Sequence, residues 1–270
     1  MFAGVGDVLT ITPAALGGLT VTGPEAEGVP TDTSNLVMQV ASRLWQGAPL
    51  GIHLEKNLPA AAGIGGGSAD AAACFRGLSC LMERNDPAFD TDQFADNAME
   101  ELLNIGADVP MCMASDFARI GGIGDQIEII GNAPDLAILL VNPRVSVPTP
   151  SVFSALENRS NPRMNAIPPE LSDTPAFVTW LAAQRNDLEP AAISQAPVIE
   201  TVLAQIRQTS GCLLARMSGS GATCFGLYSS EAAAQLASLQ ITNVHPDWWV
   251  KPTVLINGAE AAPQLIRATT

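Results

Sequence analysis

The sequence predicts an α+β protein. Alternating segments such as Leu50, Ile52 and Leu54 read as strands with one apolar face. Others, such as Leu36, Val37, Val40, Ala41 and Leu44, carry apolar residues at helical spacing. The two kinds follow one another without the regular strand–helix–strand repeat of a parallel α/β sheet. No internal repeat is visible.

In chain order, Val8–Thr12 and Leu19–Thr22 are expected to form a hairpin. Thr31, Asp32, Thr33 and Ser34 offer caps for a helix over Asn35–Trp45. A strand at Gly51–Glu55 leads into a glycine loop, and a helix follows to about Glu83. A further helix over Asp92–Ile105 should stop at Gly106. Short strands are expected at Met111–Met113, Ala118–Ile120 and Gln126–Ile130. The continuous apolar run Leu136–Val141 suits a strand buried on both faces. Pro143, Pro148, Pro150, Pro162, Pro168 and Pro169 then mark a surface connection. Helices at Ala176–Gln184, Pro197–Gln208 and Glu231–Leu239 and strands at Leu213–Met217, Thr223–Tyr228 and Trp248–Ile256 complete the pattern. A boundary near residue 134 divides the chain into domains 1–134 and 135–270.

Composition narrows the function. The 270 residues, 47% hydrophobic, suffice for one large or two modest cores. A net charge of −14, with Lys56 and Lys251 the only lysines, argues against nucleic-acid and anionic-membrane partners. No apolar run approaches the roughly 18 residues of a membrane span, and no leader pattern follows Met1, so a soluble, cytoplasmic protein is expected. Cys74, Cys80, Cys112, Cys212 and Cys224 form no Cys-x-x-Cys pair and fit thiols in a reducing compartment. His53 and His245 lack metal-ligand spacing, and structural or exposed roles are expected.

The chemistry concentrates between Lys56 and Ala73. Gly63, Gly65, Gly66 and Gly67 are followed by Ser68, a good helix cap, and an alanine-rich helix. Strand, glycine loop and helix N-terminus together make an anion site, most often for phosphate. The run lacks the Gly-Lys-Ser/Thr of a P-loop, and Ser68 stands where a dinucleotide fingerprint needs its last glycine. A bound phosphate would therefore be held mainly by backbone N–H groups.

Pro59-x-x-x-Gly63-Ile64-Gly65-Gly66-Gly67-Ser68-Ala69-Asp70 resembles the phosphate loop of the GHMP small-molecule kinases. Gly106–Pro110, Val147–Phe153, Asn186–Pro190 and Ser218–Ala222 resemble one branch of that family, in the family's order across nearly the whole chain. Asn35-Leu36-Val37 fits the same branch. It phosphorylates the 2-hydroxyl of a cytidine-diphosphate-linked methylerythritol in non-mevalonate isoprenoid synthesis.

The resemblance implies a two-domain α+β kinase with its active site between domains. The N-terminal domain would be ribosomal-protein-S5-domain-2-like and bind ATP, and the C-terminal one ferredoxin-like. Pro59, Ala60, Ala61, Ala62, Gly63, Ile64, Gly65, Gly66, Gly67, Ser68 and Ala69 would wrap the ATP phosphates. Mg²⁺ would come with ATP, faced by Ser68, with no dedicated side-chain ligands. From the residues alone Asp108 reads rather as an Asp bonding its own turn; the resemblance at Gly106–Pro110 makes it the catalytic carboxylate instead.

Asn35 and Lys56 match positions near the adenine, although Lys56 also reads as a solvated strand-end cation. Phe153 would stack on cytosine beside Pro150, and Ser218, Gly219, Ser220 and Gly221 would support the loop and reacting groups. Their plainer readings are core aromatic and hairpin turn. Asn186–Pro190 reads as a structural turn. A monomer or homodimer is expected. The alternatives are another family kinase, acting on homoserine or mevalonate, and a non-catalytic nucleotide-binding protein.

One departure stands out. The family opens with a strand bearing Ala-Lys-Ile-Asn-Leu, then Gly-Tyr-His; Met1–Asp7 already corresponds to the segment after these. Neither Lys56 nor Lys251 takes that lysine's place. A start upstream of Met1 is the expected explanation, and a genuinely shortened, impaired protein is the alternative; weak or absent turnover is expected from this stretch by itself.

Overall fold

The computed structural model describes residues 1–132, 134–168, 171 and 173–256. Pro169 and the expected domain end at 257–270 lie outside them. The elements are β1 (Phe2–Ala3), β2 (Val8–Pro13), β3 (Gly18–Thr22), α1 (Leu36–Leu44), β4 (Leu50–Glu55), α2 (Gly66–Asn85), α3 (Thr91–Ile105) and α4 (Val109–Ala114). There follow β5 (Phe117–Gly121), β6 (Gln126–Gly131), β7 (Ala137–Asn142), α5 (Thr149–Ser154), α6 (Thr174–Ala182), α7 (Glu189–Gln195) and α8 (Val198–Gln208). Last come β8 (Cys212–Met217), β9 (Cys224–Tyr228), α9 (Glu231–Val244) and β10 (Trp249–Ile256).

The described residues form two compact units, not divided by one cut. One holds Gly6–Ala60 and Gly65–Gly131; the other holds Met1–Val5, Ala61–Ile64 and Asn132–Ile256.

In the first unit β4 is the central strand of the sheet β2-β4-β3. The expected hairpin does not form. β2 pairs antiparallel with β4, and β3 pairs parallel with it, so α1 is a crossover connection. The reason lies in β4, whose Leu50, Ile52 and Leu54 are all buried. A strand with that much apolar surface gains most by being flanked on both sides. Ile52 faces Ile11 on one side and Leu19 on the other. α2 packs on α1, α4 and β2, while β5 and β6 form a separate antiparallel pair. His53, on β4, meets the hydroxyls of Thr20 and Thr22 at 3.0 and 3.1 Å, a structural role.

Met111–Met113 is helix α4, not a strand. Pro110 stands in the first turn, where its missing N–H costs nothing and its φ is already helical. Gly106 does end α3, but with extended backbone (φ −172°), not the left-handed form.

In the second unit the sheet order is β1-β10-β7-β9-β8, antiparallel at every described pairing. β7, α8, β8, β9, α9 and β10 make a β-α-β-β-α-β run with the ferredoxin-like strand order. Every residue of β7 is buried. α8 and α9 cover the sheet, with Leu139, Val141, Ile199, Leu203, Ile206, Tyr228 and Ile241 in the core between. Two short helices that the sequence pattern did not show, each with proline in its first turn, are α5 in the proline-rich connection and α7 between α6 and α8. Among the described residues no helix is long and apolar enough to cross a membrane.

Candidate active site

The glycine loop enters α2 three residues earlier than expected. The cap is Gly65 in the left-handed conformation (φ 70°, ψ 17°), and no side chain caps the helix. Ser68 lies in the first turn rather than at the cap. A left-handed residue turns the chain sharply enough to start the helix at once, and glycine takes that conformation without a Cβ penalty. The first-turn N–H groups of any helix lack intrahelical acceptors. Here they carry the positive end of a 20-residue helix dipole. Space around Gly65 is open, with nothing within 4 Å of where a Cβ would stand. That opening suits a phosphate.

Asp108 lies in the same unit. Gly106 is close to α2's first turn: a Cβ there would be 3.7 Å from Ser68 Oγ. Asp108 occupies the cap position of α4, yet its carboxylate makes no capping hydrogen bond. The backbone is anchored instead, with Asp108 O accepting from Cys112 N at 3.2 Å and Val109 and Pro110 buried. Arg76, from α2, donates to Cys112 O at 2.8 Å and ties α4 to the helix behind the loop. Asp108 is thus exposed on a fixed backbone, and the plainer reading, an Asp bonding its own turn, is not what the contacts show.

Lys56 is not a solvated cation. Its ammonium donates to Asp7 Oδ2 and, at 3.1 Å, to Asp70 Oδ2. The three side chains are 5%, 1% and 8% exposed. The resemblance puts Lys56 and Asn35 beside the adenine. The structure places the Lys56 ammonium in this internal cluster and makes Asn35 the cap of α1, accepting from Val37 N at 2.9 Å and donating to Pro30 O at 2.8 Å.

Asp7 and Asp70 were missed as functional candidates. The available signal was an aspartate set among alanines on a helix face that is otherwise apolar.

Burial pushes the Asp70 carboxyl up to about 7, against the pull of Lys56 and with a further push from Asp7. A folded value above the ordinary 3.8 means that the folded chain holds this proton more tightly than the unfolded one. The stabilisation is full below about pH 4 and is lost as pH rises through about 7. The Tm of the native chain relative to Asp70→Asn should therefore fall between about pH 5 and pH 8. Thermal unfolding across that range checks it; a constant difference would reject the shift.

In the second unit the loop tip meets the Ser218–Gly221 turn. Thr223 Oγ1 donates to Ala62 O at 2.6 Å, and Thr223 N adds a bond at 3.2 Å. Asn142 Nδ2 donates to Thr223 Oγ1 at 2.8 Å. Gly63 is left-handed (φ 72°), and a Cβ on it would stand 2.2 Å from Gly221 O. Asn186 Nδ2 donates to Gly219 O at 2.9 Å, and Thr149 and Ser220 hydroxyls meet at 2.8 Å. Thr223 therefore holds Ala62, and Gly63 lies against a turn that Asn186 and Thr149 brace.

Phe153 is not a core aromatic. It is half exposed, on α5 with Pro150, and lines a cavity of about 550 Å³. Leu156, Asn158, Arg159, Asn161 and Asp187 share its walls. Phe153, Leu156, Pro162 and Leu188 give it apolar walls with a few amides and two opposite charges among them, a make-up that suits a small molecule.

Known proteins resemble this chain in sequence and fold. The model of the GHMP kinases N terminal domain matches residues 35–116, and that of the GHMP kinases C terminal matches residues 173–247. The 4-diphosphocytidyl-2-C-methyl-D-erythritol kinase of Roseobacter denitrificans is 49% identical over 98% of this chain and 87% of its own length. The kinase of the same name from Paramagnetospirillum magneticum is 44% identical over 95% and 88%. A crystal structure of 4-(cytidine 5'-diphospho)-2C-methyl-D-erythritol kinase superposes with a TM-score of 0.68 at 26% identity, over 93% of this chain and 87% of that one. With family models matching in both halves and a relative 49% identical along almost all of its length, the chain belongs to the GHMP kinase family.

Proposed function

We propose that the chain is an ATP-dependent kinase acting on the 2-hydroxyl of 4-(cytidine 5'-diphospho)-2-C-methyl-D-erythritol. The names of relatives up to 49% identical support the substrate. The observation that carries the chemistry is the pairing, within one unit, of an uncapped helix N-terminus at Gly65–Ser68 with the exposed carboxylate of Asp108 two residues beyond Gly106.

ATP supplies a transferable phosphoryl group and leaves as ADP. The first-turn N–H groups of Gly66, Gly67 and Ser68 hold phosphate oxygens, and the Ser68 hydroxyl is available to the accompanying Mg²⁺. Asp108 orients the substrate hydroxyl and takes its proton as the new O–P bond forms. Phe153 offers its ring to the cytosine beside Pro150. A cytoplasmic monomer or homodimer goes with this reading, and the five free thiols support a reducing compartment.

The test is ADP release by the full-length protein with Mg-ATP and a panel of alcohols. Release with the cytidylyl substrate alone is expected. Release with homoserine or mevalonate instead would overturn the substrate, and nucleotide binding without release would overturn the reaction.

A further inference from the structure

The cluster of Asp7, Lys56 and Asp70 lies outside the reacting groups, yet its members stand at both ends of the loop. On the entry side, Asp7 Oδ1 accepts from Asn57 N at 2.6 Å and Leu58 N at 2.9 Å, the two residues leading into Pro59. Lys56 is pinned by its backbone as well: its N–H donates to Thr22 O at 2.7 Å and its carbonyl accepts from Glu25 N at 3.1 Å. On the exit side, Asp70 belongs to the second turn of α2. The Lys56 ammonium joins the two sides, and it lies 3.6 Å from where a Gly66 Cβ would be.

Three buried ionic groups are a poor source of stability, because apolar residues of similar volume commonly do as well or better. Two carboxylates against one ammonium also make a poor phosphate ligand, since the cluster carries no net positive charge. What it does is fix geometry. It ties residues 56–58 to residue 70 by side chains, so the amides at the loop's entry and at the start of α2 are held before a ligand arrives. Preordered donors bind more tightly because less ordering entropy is lost on binding.

We propose that Asp7 and Asp70 are positioning residues which, through Lys56, clasp the base of the loop and set its amides for triphosphate. The clasp rests on the loop's assignment to ATP in the kinase reading. Asp70→Ala cuts it; Asp70→Asn keeps an oxygen that still accepts from Lys56.

Two readouts test it, one without ligand. Amide hydrogen exchange over residues 57–69 of the ligand-free protein should speed up about tenfold or more in Asp70→Ala, with β7 amides unchanged. Calorimetry should show Mg-ATP binding weakened about tenfold or more, with KM for the alcohol substrate within about twofold. Asp70→Asn should restore both to within about threefold.

Unchanged loop exchange, exchange that speeds up everywhere alike, or a lower Tm with unchanged Mg-ATP affinity would overturn the clasp. If Asp70→Ala does not fold, Asp70→Leu refills the volume, leaves the Lys56–Asp7 pair in place and is read the same way. If even the native protein fails to bind Mg-ATP, the kinase reading falls, and the exchange measurement decides the clasp by itself.

Discussion

Asp108→Asn should lower kcat by about a hundredfold or more while leaving Mg-ATP affinity within about threefold. The substitution keeps the shape and removes the proton acceptor. Asp108 caps no N–H group of α4, so no structural bond is lost with the charge. Its backbone is held by Cys112 N and by the buried Val109 and Pro110, none of which the change touches. Stability should therefore move by no more than about 0.5 kcal/mol, as for other exposed sites. The loss should appear in kcat, because positioning and deprotonating the hydroxyl matter most as the new bond forms. Single-turnover kinetics on full-length protein, with a parallel binding isotherm, separates the two terms. Turnover within about twofold of native would remove Asp108 from the reaction.

Periodicity located most elements, because it reports which residues face a core. It could not choose strand partners. Val8–Thr12 and Leu19–Thr22 alternate as hairpin strands would, but the better partner for both is β4, more than 25 residues away in sequence. Short apolar runs were equally ambiguous: Met111–Met113 carries no period long enough to separate strand from helix, and Pro110 decides it by opening a turn. The phosphate loop was legible because left-handed turns and helix starts need glycine there. Its supports were not. Asp7, Lys56 and Asp70 are separated by up to 63 residues, and the one local cue, an aspartate among the alanines of α2, does not say which distant lysine it meets. Thr223 and Asn142 escaped for the same reason, since each is an ordinary strand-end residue until the chain brings Ala62 beside it.

The second large effect is expected from Gly63→Ala. Gly63 has φ 72°, which costs an L-residue about 1–2 kcal/mol. Gly65, at φ 70°, has nothing within 4 Å of its Cβ position, so Gly65→Ala measures that conformational cost with no clash added. At Gly63 the new Cβ would stand 2.2 Å from the backbone oxygen of Gly221, which cannot rotate away as a side chain would. Ala62–Ile64 must shift by roughly an ångström to restore ordinary contact, and the bonds from Thr223 to Ala62 O would lengthen with it. Losing that buried pairing costs about 1–3 kcal/mol beyond the backbone strain. Gly63→Ala should thus lower Tm clearly more than Gly65→Ala. It should also weaken Mg-ATP binding about tenfold or more, since an ångström of misplacement in the loop spoils its aim. Thermal unfolding of the two variants side by side, followed by nucleotide titration of the folded fraction, decides the matter. Equal Tm shifts would mean that the loop tip does not rest on the Ser218–Gly221 turn.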